Sequence, residues 1–203
     1  MKNFLVSIFE ILRIVVLALI IVIPVRFFIF QPFLVQGQSM EPNFENGDYL
    51  VVDELTYRFG EPKRGEIIVF KVPQMERERV INIFGFKFSL KESPRFIKRV
   101  IGLPGETVEI SDGKIKISND EENFSLDESK YLSNNYTLGQ FQISLGKEEY
   151  FVLGDNRSHS LDSRSIGPIS KKFVIGRVIL RLWPIKEISK IESPRYPEIE
   201  TSH

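Results

Sequence analysis

Hydrophobic positions are laid out in two ways along the chain. From Phe4 to Val35 they are almost continuous, broken by Ser7, Glu10, Arg13, Arg26 and Gln31. Ile14 to Val25 carries no charge, and extension to Ile11 and Phe30 gives the roughly 20 apolar residues that a bilayer-crossing helix needs. Arg13 and Arg26 lie near enough to the ends for their charged heads to reach the interface. The pattern predicts one transmembrane helix. A cleavable leader would end in small residues, whereas this run continues into Phe27-Phe28-Ile29-Phe30-Gln31-Pro32-Phe33. A buried core helix stays open as an alternative, because Glu10, Arg13 and Pro24 shorten the clean part. Lys2 and Arg13 precede the span, which favours a cytoplasmic N-terminus and places Ser39 and the later residues outside the cytoplasm, close to the membrane surface.

Beyond Gly47 the pattern changes to short β-branched runs bounded by turn residues. Asp48 to Asp53, Gly65 to Val72, Phe96 to Ile101, Glu149 to Leu153 and Phe173 to Leu182 read as strands. Thr107-Val108-Glu109-Ile110 and Lys114-Ile115-Lys116-Ile117 alternate on either side of Asp112-Gly113, the strongest hairpin signal in the sequence. Gln74 to Ser93 and Ser118 to Gln140 are polar and less patterned, as insertions or surface loops would be. After Trp183, prolines at 184, 194 and 197 and many charges predict a loosely held tail. The expected architecture is mainly β. Residues 1–30 form a cytoplasmic stub and membrane anchor, and 31–183 an antiparallel β domain with insertions at about 74–93 and 107–148. The second insertion is a small β lobe built on the hairpin, and 184–203 is a polar tail.

Composition narrows the chemistry. The 203 residues contain 27 Lys plus Arg and 27 Asp plus Glu, so no bulk positive field argues for nucleic acid. There is no cysteine, which removes thiol nucleophiles, disulfides and Cys-rich zinc sites together. The two histidines, His159 and His203, are too few for a multi-histidine metal site.

Three stretches carry candidate chemistry. In Gln36-Gly37-Gln38-Ser39-Met40-Glu41-Pro42-Asn43-Phe44 a single serine lies between a glycine and a proline at the mouth of the apolar segment, where a nucleophile could meet something leaving the bilayer. Alone, it is an ordinary turn. In the second stretch, a strand over Phe96 to Ile101 puts Phe96, Lys98 and Val100 on one face. Apolar surroundings disfavour an ammonium ion and lower a lysine pKa, the condition for a lysine general base. A solvated lysine on an edge strand is the plain alternative. Arg99 faces the other way and cannot lose its charge, but can bind a carbonyl or carboxylate. The third stretch, Gly154 to Pro168, is dense in hydroxyls, carboxylates and arginines. It can form a loop made rigid by its own hydrogen bonds and ion pairs. Its plain alternative is a solvated turn.

Taken together, these stretches resemble type I signal peptidases, membrane-anchored serine proteases that remove signal peptides from exported proteins. The resemblance rests on Gly37 to Pro42 after an N-terminal span, Gly47 to Val52, Arg64 to Phe70, Ile97 to Glu106, Gly154 to Arg157 and Ser160 to Arg164, in the family's order. It implies a serine/lysine dyad in a β catalytic domain of the signal-peptidase type, with Ser39 as nucleophile and neutral Lys98 as general base. Ser160 matches the serine whose hydroxyl orients the lysine amine, and Asp162 with Arg164 the pair that holds the loop. Asp155 and Arg157 match structural positions. The backbone N–H of Ser39 is the implied oxyanion donor. Some members add a serine hydroxyl two residues earlier, where this chain has Gly37. Phe33, Val35, Met40, Phe44, Phe96 and Ile97 match positions lining small pockets that accept alanine-like residues one and three places before the cut. The implied partners are signal-peptide-bearing preproteins and the lipid bilayer, with no nucleic acid, and no metal or organic cofactor is called for. Phe27, Phe28, Phe30 and Phe33 can serve equally as interfacial anchors.

Three other readings stay open. His159 beside Ser160 could join Asp155 or Asp162 in a Ser/His hydrolase. A membrane-tethered β module without catalysis would need none of the matched serines and lysines. A self-cleaving repressor of the related serine/lysine class would carry a DNA-binding domain where this chain has the Phe4 to Val35 segment. The sequence gives no sign of oligomeric state.

Overall fold

The computed structural model describes residues 8–20, 30–83, 86–120, 123–133, 136–194 and 196. Residues 8–20 are helical and exposed along their whole length. Among the described residues no helix is long and apolar enough to cross a membrane. The second half of the predicted span, with Phe27 and Phe28, lies outside the described residues.

The rest is mainly antiparallel β. The strands run in order β1 (Phe30–Leu34), β2 (Tyr49–Asp53), β3 (Ile67–Lys71), β4 (Arg77–Ile83), β5 (Phe86–Glu92), β6 (Arg95–Gly102) and β7 (Thr107–Ser111). They continue with β8 (Lys114–Ser118), β9 (Asn123–Ser125), β10 (Phe141–Ser144), β11 (Glu149–Leu153), β12 (Ile169–Ser170), β13 (Val174–Trp183) and β14 (Ser189–Lys190). Two single-turn helices intervene, α1 (Thr56–Phe59) and α2 (Ser163–Ile166). The main sheet has the order β1-β2-β13-β3-β6-β11-β12, with β14 added on β13. A second sheet, β10-β7-β8-β9, is the predicted small lobe, and β4 with β5 forms a separate ribbon.

The hairpin of the lobe forms where its sequence places it. Asp112 and Gly113 both take positive φ, 52° and 77°, the conformation that a tight two-residue turn demands. Val108, Ile110, Ile115 and Ile117 point into a core shared with Ile101, Phe151 and Leu153 of the main sheet. β1 begins inside the continuous apolar run, so no change of periodicity marks it. Its Pro32 is tolerated because β1 is an edge strand, paired only to β2. The stretch 74–93, expected as an irregular insertion, is mostly the β4–β5 ribbon. The stretch after Trp183 is held more firmly than its composition predicts. β14 pairs with β13, Ile191 packs on the main core, and Tyr196 Oη donates to Tyr131 Oη at 3.1 Å. Proline spacing signals a chain that cannot form long regular elements, but says nothing of docking onto residues far away in sequence.

β6 is the strand that matters for the site. It lies between β3 and β11, and residues 97–102 are all buried. Its two faces pack into different cores. Ile97 joins Val35, Met40, Phe44, Leu50 and Val69 on one, and Val100 joins Ile68, Phe70, Tyr150 and Val152 on the other. Gly102 closes the strand against the lobe, and a methyl built on it would overlap Val108, Leu145 and Phe151. Gly102→Ala should therefore cost about 1–3 kcal/mol through overpacking, read as a lower denaturant midpoint with an unchanged slope.

Candidate active site

Ser39 is set in place by its neighbours. Val35 N donates to Asp48 O at 2.9 Å and Gly47 N to Val35 O at 3.0 Å, closing the neck of the loop. Met40 and Phe44, each about 1% exposed, pull the loop into the core, and Phe44 N donates to Met40 O at 2.9 Å. Gly37 turns the chain at φ 95°, and its N–H is taken by Asn46 Oδ1 at 2.9 Å. The carbonyl of Ser39 accepts from Asn156 N at 3.1 Å, which ties the loop to the Gly154–Pro168 segment.

Lys98 reaches Ser39 from below. Its Nζ lies 2.7 Å from Ser39 Oγ and 2.8 Å from Ile97 O, and 5.4 Å from the centre of the Phe96 ring. The residue is 3% exposed. Burial pushes its pKa down to about 8, outweighing the carboxylates of Asp162 and Asp155, which pull it up. A neutral amine in this position can accept the hydroxyl proton of Ser39, an elementary requirement of a nucleophile–base pair.

The adjacent Arg99 is also buried but fully paired. Its Nε and Nη2 donate to Asp155 Oδ1 and Oδ2 at 2.9 and 2.7 Å, and its Nη1 to Gly65 O at 2.9 Å. The guanidinium lies 3.9 Å from the Tyr131 ring centre, and Asn43 Nδ2 completes Asp155 at 2.7 Å. These contacts hold its pKa above the ordinary arginine range despite burial. Arg157 donates to the Glu128 carboxylate through both terminal nitrogens, to Thr137 Oγ1, and through Nε to Gly154 O at 3.1 Å. Asp162, fully buried, accepts from Gly154 N at 3.1 Å and from Arg164 Nε and Nη2, both at 2.9 Å, while Arg164 Nη2 also donates to Arg157 O at 2.7 Å. It also caps α2 through Arg164 N.

The structure brings together Ser39, Lys98, Asp155, Arg157, Asp162 and Arg164 as one connected site. It does not join Ser160 to the lysine by a hydrogen bond. Ser160 Oγ is buried, without a partner among the described residues, and packed against Gly154. His159 is exposed, bonded to Ser158 Oγ at 3.0 Å and Asn156 Oδ1 at 3.4 Å, and makes no hydrogen bond to Ser39. Of the six expected pocket residues, Phe33, Phe96 and Ile97 line a cleft of about 860 Å³ that runs to Ser39 and Lys98. Val35, Met40 and Phe44 lie in the core beneath. Sequence reasoning missed Asn43, Glu128, Tyr131 and Thr137, the partners of the buried ions, and Leu34, Met75, Pro94 and Leu161 in the cleft wall. Glu128 and Tyr131 sit in a stretch without periodicity, 29 and 32 residues from the partners they meet, so no local signal marks them. Among the described residues no group of His, Asp and Glu side chains is arranged to hold a metal ion.

Comparison with known proteins finds relatives over most of the chain. The family described as "Signal peptidase, peptidase S26" matches residues 8–183. A signal peptidase I of Leptolyngbya laminosa is 32% identical over 183 residues, 88% of this chain and 81% of its own. Signal peptidase I P of Bacillus subtilis subsp. natto is 32% identical over 188 residues, 90% of this chain and 92% of its own. A solved signal peptidase I from Enterococcus faecalis aligns at 32% identity over 58% of this chain and 97% of its own, with a TM-score of 0.42.

The ion network is testable without reference to activity. Asp155→Asn strands the buried Arg99 charge and should cost about 3–5 kcal/mol in unfolding. Glu109→Gln, which breaks an exposed pair with Lys116 at 3.7 Å, should leave the unfolding midpoint nearly unchanged.

Proposed function

The chain belongs to the signal peptidase family, peptidase S26, and as such is a serine endopeptidase acting on signal-peptide-bearing preproteins; we propose that it does so as a single-pass membrane protein with a Ser39/Lys98 dyad. The observation that carries this reading is the 2.7 Å separation of Lys98 Nζ and Ser39 Oγ at the floor of the cleft, with the lysine removed from water. Neutral Lys98 takes the Ser39 proton as Oγ attacks the scissile carbonyl. The tetrahedral oxyanion is met by the backbone N–H of Ser39, which has no partner among the described residues. Gly37 supplies no side-chain donor. Collapse breaks the C–N bond as the Lys98 ammonium returns its proton to the leaving amine. A water molecule, deprotonated by the same amine, then hydrolyses the acyl-enzyme.

Ser160 keeps the proposed role of orienting the amine, supported by its buried, unpartnered Oγ beside Gly154. Asp155, Arg157, Asp162 and Arg164 are proposed to hold the loop that backs Ser39, in keeping with their paired burial. Phe33, Phe96 and Ile97 in the cleft wall, with Val35, Met40 and Phe44 behind them, favour small apolar residues at an Ala-x-Ala site. Large side chains would overlap them, and charged ones would lose hydration without a partner. Anchoring through residues 1–30 is supported by the helix at 8–20. It turns Phe9, Ile14 and Ile20 outward at 69%, 66% and 61% exposure, a surface that water does not tolerate over such a length. The proposed layout puts the N-terminus in the cytoplasm, residues 31–183 as the peptidase domain with insertions at about 74–93 and 107–148 on the far side of the plasma membrane, and 184–203 as a tail.

The test is cleavage of a precursor with an Ala-x-Ala signal peptide by the full chain in detergent. Lys98→Ala should lose at least about 10³-fold in rate and His159→Ala should keep most of it; the opposite pattern would sink the dyad. Wild-type kcat/KM should rise with pH through about 8 and then level, because only the deprotonated amine is a base. Gly154→Ala, whose methyl would overlap Ser160 Oγ and the Ser39 carbonyl, should abolish cleavage.

A further inference from the structure

A second hollow, of about 360 Å³, adjoins the cleft through Arg95 of β6, which lines both, and is bordered by Gln31 of β1, Tyr57 and Arg58 of α1 and Lys71 of β3, with Glu54 at its edge. Lys71 and Arg95 are direct cross-strand partners, so their side chains leave the same face of the sheet. Like charges in that relation repel. Both side chains are exposed, neither forms an ion pair or hydrogen bond with any described residue, and the Glu54 carboxylate bonds to neither. Elsewhere in the domain, half-buried and buried arginines are matched to acids: Arg64 to Glu106, Arg177 to Asp53 and Glu66, Arg181 to Asp48. The hollow is thus lined by three cations, Arg58, Lys71 and Arg95, and by one acid, Glu54, and carries a net positive charge.

The chemistry of the pair points to phosphate. A guanidinium presents a planar fork of donors suited to two phosphate oxygens, and an ammonium adds a point charge. The position of Gln31 points to its source. Gln31 is the second residue of β1 and directly follows Phe30, where the predicted span ends, so the hollow opens close to where the chain would leave a bilayer. We infer that this hollow binds the phosphate of an anionic phospholipid headgroup, at the junction between the apolar segment and the β domain. The inference rests on the membrane-anchored reading above. Occupancy relieves the Lys71–Arg95 repulsion and ties β3 and β6, hence the strand carrying Lys98, to a fixed depth at the membrane surface.

The experiment follows thermal unfolding of the full chain in uncharged detergent micelles, so its readout does not depend on proteolysis. Dihexanoyl phosphatidylglycerol should raise the wild-type midpoint by about 2–4 °C, and dihexanoyl phosphatidylcholine by much less. In the Lys71→Gln/Arg95→Gln variant the lipid-free midpoint should equal or exceed the wild type, and the increment should vanish. Lys114→Gln/Lys116→Gln, at the two exposed lysines of β8, should retain it, which separates a site from diffuse surface charge. An increment kept by the Lys71/Arg95 variant, or absent from the wild type, overturns the site. A lipid-free loss of stability in that variant would mean that the two cations have structural partners, and overturns it as well. If inorganic phosphate reproduces the increment through the same two residues, the phosphate chemistry stands and the lipid source falls. A chain that fails to cut an Ala-x-Ala precursor but keeps the increment loses the peptidase reading alone.

Discussion

An amine can serve as a base near neutral pH only where its charged form is poorly solvated, and the fold meets that requirement at one place. β6 is flanked by β3 and β11 and packs into a core on each face, so Lys98, although it borders the cleft, is only 3% exposed. Its Nζ can reach only a serine hydroxyl and a backbone carbonyl. The two cores above and below the strand, the bridging β11, and the Met40 and Phe44 anchors that seat the serine loop all act on this one environment. A lysine on an edge strand with the same neighbours in sequence would remain an ordinary cation.

Consecutive residues on β6 are treated in opposite ways, and the contrast sets the chemistry. Arg99 is given two carboxylate oxygens, a carbonyl and an aromatic face, and so stays charged in the interior. Lys98 is given no carboxylate in contact. The acids that serve the arginines, Asp155 for Arg99 and Asp162 for Arg164, still act on Lys98 from a distance and temper its desolvation. The same carboxylates thus pair with the arginines of the loop and pull the amine's pKa back up against its burial.

The outer surface suits the proposed attachment to a bilayer. A helix that exposes its apolar residues, an edge strand that begins inside the apolar run where the predicted span ends, and a net positive hollow near that junction are the features that lipid would meet. The cleft with Phe33, Phe96 and Ile97 is bordered by the same strands, β1 and β6, and shares Arg95 with the hollow. The C-terminal segment adds to this frame, since Tyr196 reaches Tyr131, which in turn covers Arg99.

Local chemistry explains which features are legible in advance. Alternation about Asp112-Gly113 specifies a hairpin, because turn geometry and side-chain period act over a few residues. The β-branched runs at 48–53, 65–72, 149–153 and 173–182 announce strands for the same reason. The order of the Ser39, Lys98 and Gly154–Arg164 stretches is enough to indicate the family. Other features depend on partners remote in the chain. β1 is hidden because its hydrophobicity continues that of the preceding segment, and the pairing with β2 that makes it a strand is not a local property. Glu128 and Tyr131 carry no signal until β11 and β6 bring Arg157 and Arg99 to them. Ser160, expected on the amine, lies against Gly154, a matter of side-chain rotation that a motif does not encode. Residue order is thus sufficient for the side chains available to catalysis and for most of the strands. Which lysine is dry and which arginines are matched becomes fixed only on folding, because burial and Coulomb energy depend on distances between residues that the chain separates by tens of positions.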